Sequence, residues 1–227
     1  MRASIWSGLV ALICAFGAVA HTLNDVDPGV FDPKDTDLVG ARWVNGIGCP
    51  TGEKTFDGTT TTPFTDPACP TGDRSDHNNA GLLLAKTGPT ANFAAAGADL
   101  KGLKGATLTE LGYDIRFGSH CGAGAPRFDI ATDDGKFFFV GCASPHPTTV
   151  VRGFGFARLR WGGSAPLLGF NRATGALEPI TGHVKSISIV FDEGQDTSSA
   201  TDFTPPETAS GLAVIDNIDV NGKLIGR

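Results

Sequence analysis

The residues best suited to hold a ligand sit on one run, Val150 to Trp161 (VVRGFGFARLRW), where Trp161 ends just before Gly162-Gly163. A pyranose has an apolar CH face ringed by hydroxyls, so a receptor needs an aromatic face flanked by planar hydrogen-bonding groups. Trp161 with Arg158 and Arg160 offers that combination. Trp43 and Tyr113 are further candidate platforms, and Asp76, His77, Asn78 and Asn79 further polar partners. The competing reading is packing, with Trp43 and Trp161 in the core or at a sheet edge and Tyr113 on an apolar phase. Fifteen Phe against three Trp and one Tyr indicate that the aromatics mostly fill the interior.

Carboxylates suggest a second chemistry. Asp192-Glu193-Gly194-Gln195-Asp196 places three acids in a glycine-containing loop, and hard oxygen ligands are what Ca²⁺ takes. The loop lacks the alternating pattern and terminal Glu of an EF-hand, and a solvated acidic turn is the alternative. Asp216 shares the phase of Leu212, Val214, Ile218 and Val220, so strict alternation aims it inward. An inward carboxylate needs hydrogen bonds, a partner or a metal, unless a bulge turns it outward.

Catalysis has little support. A glycosidase needs two carboxylates across a cleft, and Glu110, Glu178, Glu193 and Glu207 offer no recognisable strand-borne pair. There is no G-x-S-x-G elbow and no H-E-x-x-H. His77 and His120 each sit in a polar loop. His120 beside Cys121 invites a nucleophile reading, and His120, Cys121, Cys142 and His146 a zinc reading, but the cysteines point elsewhere. Beyond the first twenty residues there are four, Cys49, Cys69, Cys121 and Cys142, and an even count in an exported chain reads as two disulfides. Spacing favours Cys49–Cys69 and Cys121–Cys142. Each closes a loop worth about 3 kcal/mol in the chain-entropy model.

The elements that must position these groups are strands. Leu111, Tyr113, Ile115 and Phe117 alternate with polar residues, and Asp134-Gly135 reads as a two-residue hairpin turn. That turn sets Asp133 against Lys136, Ile130 against Phe139 and Arg127 against Cys142, with Phe128, Ile130, Phe137 and Phe139 on the buried face. Together these three runs predict one sheet. Further strands are expected at 38–44, 81–87, 150–161, 184–191 and 212–220. Ile187, Ile189 and Phe191 face inward, and Phe156, Arg158 and Arg160 lie opposite Ala157, Leu159 and Trp161. Residues 45–80 form a Gly/Thr/Pro-rich loop in which Cys49-Pro50-Thr51-Gly52 recurs as Cys69-Pro70-Thr71-Gly72. One-sided strands need a second layer, which predicts an all-β, two-sheet antiparallel jelly-roll sandwich over 38–227.

The ends and the charge bound the setting. MRASIWSGLVALICAFGAVA reads as a signal peptide with cleavage before His21, too short for a membrane span. Residues 21–37 read as an extended Asp/Pro-rich lead-in. Roughly 207 residues remain, enough for one all-β domain. A net charge of −6 without a basic stripe argues against nucleic acid and anionic membrane. The expected setting is extracellular, or periplasmic in a Gram-negative source.

The ending Gly211-Leu212-Ala213-Val214-Ile215-Asp216-Asn217-Ile218-Asp219-Val220-Asn221-Gly222 resembles the closing strand of extracellular galactose-binding-like jelly rolls, many of them carbohydrate-binding modules. At the level of fold the resemblance covers residues 80–222. It implies a glycan-binding or adhesive module, often with a structural calcium ion. The 45–80 segment has no counterpart, and no binding-site residue matches. The functional expectation is therefore a secreted, non-catalytic β-sandwich module that binds a glycan or another surface ligand. The alternatives are a structural or protein-interaction domain of the cell envelope and a secreted carbohydrate-active hydrolase or lyase.

Overall fold

A computed structural model describes residues 21–49, 54–56, 61–63, 79–122, 124–145, 148–151, 155–196 and 211–226. In chain order the strands are β1 (Asp25–Phe31), β2 (Val39–Val44), β3 (Lys54–Phe56), β4 (Thr61–Pro63), β5 (Gly81–Lys86), β6 (Ala95–Lys101), β7 (Glu110–Arg116) and β8 (Arg127–Thr132). They continue as β9 (Phe137–Gly141), β10 (Thr148–Val151), β11 (Phe156–Gly162), β12 (Leu168–Asn171), β13 (Leu177–Pro179), β14 (Val184–Phe191), β15 (Leu212–Val220) and β16 (Lys223–Ile225). One 3₁₀ turn, Thr90–Asn92, precedes β6, and the described residues hold no α-helix. No helix among them is long and apolar enough to cross a membrane.

Two antiparallel sheets form a sandwich. The first runs β1-β6-β14-β8-β9-β12-β13, the second β10-β11-β7-β15-β5-β2 with β16 on β15, and β3 pairs with β4 separately. Alternation explains the layers. Ile187, Ile189 and Phe191 of β14 and Phe128 and Ile130 of β8 meet Leu111, Tyr113 and Ile115 of β7 and Ala157, Leu159 and Trp161 of β11 in one core. The Asp/Pro-rich lead-in supplies β1, an edge strand on β6. Pro28 is tolerated there because an edge leaves one row of N–H groups unused.

Four local expectations change. The β8–β9 hairpin turns through three residues rather than two: Thr132 N–H donates to Lys136 O, and Gly135 takes φ +84° as the left-handed residue of the longer loop. Register shifts by one, so Ile130 faces Phe138 and Arg127 faces Gly141. Phe138 and Val140 therefore enter the core, while Phe137 and Phe139 turn to the outside. Second, β7 does not join β8 and β9. The connection over 117–126 is too long for a tight hairpin and carries the chain from the second sheet to the first. Third, the single long strand predicted from Val150 to Trp161 is the pair β10 and β11, although Ala157, Leu159 and Trp161 do share one face, the one in the core.

The fourth change concerns β15. Its register against β7 shifts between Asp216 and Asp219, and Asn217 takes φ +45°. This bulge reverses the phase, so Ala213 and Ile215 before it and Ile218 and Val220 after it all reach the core. Asp216 projects away from the core yet stays fully buried, so the alternative that holds is the hydrogen-bonded inward carboxylate and not one turned out to solvent. Its carboxylate is buried and accepts the Cys49 N–H at 2.7 Å and the Asn217 N–H at 2.6 Å.

The disulfide Cys121–Cys142 is present with Cα atoms 5.3 Å apart, which removes both thiols from the zinc and nucleophile readings. Cys49 is disulfide-bonded too. Its expected partner Cys69 lies outside the described residues, as do His77, Asn78, Asp76, His146 and the first twenty positions.

Candidate functional site

The aromatic and arginine candidates taken from β11 are structural. Trp161 is 1% exposed, with Tyr113 at 5.3 Å and Phe128 at 6.1 Å between ring centroids, so its ring has no face for a sugar. Tyr113 is equally buried and its hydroxyl donates to Pro126 O at 2.9 Å. Arg158 and Arg160 lie on the other face of β11 in an ionic network. Arg158 bonds Asp114 at 3.1 Å and Asp219 at 3.4 Å, and Arg160 bonds Glu110 at 2.9 Å and Asp219 at 3.2 Å. Burial pushes Asp219 up to about 6 despite the two arginines. Trp43 is half-buried against the core and donates its indole N–H to Val26 O at 3.2 Å.

A different set of residues surrounds a cleft of about 790 Å³ where the outer face of the first sheet meets one end of the sandwich. Strand ends bring them together: Phe31 closes β1, Arg127 opens β8, Phe139 lies in β9, Phe170 in β12, and Asp192 and Glu193 follow β14. Phe93 follows the 3₁₀ turn and stands 74% exposed, with Phe31 62% exposed. Phe93 also holds φ +61°, a strained backbone for a bulky side chain.

The walls are held by charge. Arg127 donates to Asp192 through Nη1 at 2.7 Å and Nη2 at 2.8 Å, to Asp129 through Nε at 2.8 Å, and lies over the Phe139 ring at 5.1 Å. Burial by itself raises the pKa of both carboxyls, but the bidentate bonds win at Asp192, which ends below its ordinary value. Asp129 receives one bond, so burial wins there and pushes it up to about 6.

At the closed end, Lys86 is wholly buried and donates to three carbonyls: Thr90 O at 2.9 Å, Ala94 O at 2.7 Å and Asp192 O at 2.8 Å. Burial lowers its pKa, partly offset by Asp192 and Asp196. Beside it, buried His120 bonds Glu193 through Nε2 and packs edge-on against Phe191 at 5.7 Å.

The acidic loop expected to take calcium is bonded within the chain. Asp192 pairs with Arg127, Glu193 with His120, and Asp196 accepts Thr90 N–H at 2.8 Å and Thr90 Oγ1–H at 2.7 Å. Among the described residues no three His, Cys, Asp or Glu side chains gather as a metal site. Asp192 and Glu193 thus line the cleft, Asp196 is held on Thr90 behind it, and Asp216 lies apart near Cys49.

Sequence reasoning missed Phe31, Phe93, Phe139, Phe170, Arg127 and Lys86. The one local signal available was Asp133-Asp134-Gly135, which fits a three-residue turn as well as a two-residue one and decides where Phe139 points. No family model, curated protein or solved structure matches the chain, so the site is read from its own geometry.

Proposed function

We propose that this chain is an exported, non-catalytic binding module that takes a glycan along the phenylalanine-lined cleft. The observation that carries the reading is Phe93, an exposed ring on a strained backbone at the rim of a cleft walled by Phe31, Phe139 and Phe170. Strain of this kind costs of order 1–3 kcal/mol and is retained where surrounding structure imposes it. Phenyl faces suit the CH faces of sugars. Asp192, whose two oxygens each accept one bond from Arg127, keeps lone pairs for hydroxyls. The volume admits two or more sugar rings, in keeping with the usual range of ligand clefts, roughly 300–1,000 Å³.

A glycan array probed with the chain from His21 onward tests this, alongside Phe93→Ala. Retained sugars that Phe93→Ala releases, with the melting transition unchanged, are the expected result. An empty array would favour the structural or interaction-domain reading. A reducing-end assay on polymeric glycans checks the non-catalytic part, since new ends over time would make the cleft an active site. Calcium remains a separate proposal, drawn from the family resemblance: a transition raised by Ca²⁺ over EGTA would reveal a site built from other oxygens. Export predicts a mature protein beginning at His21 outside the cytoplasm, which N-terminal sequencing reads directly.

A further inference from the structure

Two Asn-Gly pairs stand in the chain, Asn45-Gly46 and Asn221-Gly222. Both asparagines are exposed, in the turns that follow β2 and β15. The amide carbon of an asparagine is open to attack by the backbone nitrogen of the next residue. A glycine there has no side chain to shield that nitrogen and gives the backbone freedom to reach the carbon. The attack also needs a side chain free to rotate and an N–H that is not held elsewhere.

The Asn221 turn meets neither condition. Asn221 Oδ1 accepts Thr109 N–H at 2.8 Å, Thr109 Oγ1–H at 3.1 Å and Glu110 N–H at 3.2 Å. Its Nδ2 donates to Thr107 O at 2.8 Å, and Gly222 N–H donates to Asp219 Oδ1 at 2.8 Å. Asn45 is the opposite case. Among the described residues neither its side chain nor the Gly46 N–H makes a hydrogen bond. Gly46 holds φ +77° with open space where a side chain would stand, so no neighbour crowds the approach.

We propose that Asn45-Gly46 is a site of spontaneous deamidation in the folded protein, and that the fold protects Asn221-Gly222 from the same reaction. The Gly46 nitrogen gives up its proton and bonds to Asn45 Cγ, closing a five-membered imide. The Cγ–Nδ2 bond breaks, and ammonia leaves with that proton. Water then opens the imide at either carbonyl, which leaves an aspartyl or an isoaspartyl residue at position 45. The net change is one water taken up and one ammonia released. The isoaspartyl form also adds a backbone carbon where the chain has little slack. Val44 is paired with Gly81, and Gly48 donates to Asn79 O at 2.8 Å. A side-chain carbon at Gly48 would already meet the Ala80 backbone at 2.6 Å. The inference is independent of the glycan reading.

The chain from His21 onward, held in warm, mildly alkaline buffer both folded and in urea, tests it. Mass spectrometry of the peptides carrying positions 45 and 221 follows the two sites. In the folded protein position 45 is expected to convert, and position 221 at least about tenfold more slowly, the worth of one or two hydrogen bonds surrendered before the ring can close. In urea the two should convert at similar rates, because the protection belongs to the fold. Equal rates in the folded protein, or a position 45 that converts only in urea, overturn the proposal. The isoaspartyl fraction, separated by anion exchange, should unfold at lower urea than fresh protein. Equal midpoints would overturn the strain assigned to the turn.

Discussion

Asp129 and Asp192 share one arginine and end up on opposite sides of the ordinary carboxylate range. Arg127 gives Asp192 two parallel bonds and Asp129 one, and burial tips the balance at the weaker pair. For Asp129, pushed up to about 6, the sign follows. The folded state holds its proton more firmly than the unfolded state does. The stability it contributes is full below about pH 4 and is lost as pH rises through about 6. Asp129→Asn should therefore gain on the wild type across that window, by at most about 3 kcal/mol, since a pKa unit is worth about 1.4 kcal/mol. Urea midpoints measured at several pH values check it, and parallel profiles for the two proteins would defeat the account. Asp219 titrates in the same window in both proteins, so the difference isolates Asp129.

At the scale of elements, the cleft depends on how three segments are tied. The turn at Thr90–Asn92, the start of β6 and the end of β14 each bring a carbonyl to Lys86 Nζ. Phe93 lies between two of those anchors, which explains how a left-handed phenylalanine is kept in place. Lys86→Met removes the ammonium and leaves three carbonyls facing a thioether, each buried unsatisfied group costing about 1–3 kcal/mol. A loss above about 3 kcal/mol in urea unfolding is expected, with faster hydrogen exchange over 88–95. A variant as stable and as protected as the wild type would show that the loop holds itself.

Much of this scale was legible beforehand. The inward phases of β7 and β14 follow from alternation alone, because a pleated strand places every second side chain on one face. Lys86 was not legible. It continues the inward phase of Leu82 and Leu84, and only the carbonyls arriving from 90, 94 and 192 make a buried lysine tolerable there. Nor was Phe139, whose direction turns on one extra residue in a loop.

At the scale of the whole molecule, the Cys121–Cys142 bridge joins the crossing between sheets to the residues after β9. Gly124 and Arg127 follow its first half, and Ala143 and Ser144 follow its second, all four on the cleft wall. Replacing both cysteines with alanine should cost about 3 kcal/mol for a separation of 21 residues. That corresponds to roughly 10 °C in a domain of this size. Ligand binding should weaken as well, because the wall loses its clamp. Calorimetry and titration on the same variant read both, and unchanged affinity in a destabilised protein would separate the bridge from the site.

The chain's own pattern settled that the molecule is built of strands, which phase of β7 and β14 turns inward, and that Cys121 lies near Cys142. These are short-range matters, decided by side-chain alternation and by loop length. Tertiary structure alone decided the partner of each strand, the one-residue register of β8 on β9 and the phase reversal at the β15 bulge. Register is a choice among alternatives that local preferences leave nearly equal. It is resolved only when a second sheet closes over one face and leaves Phe139 on the other, as a wall of the cleft.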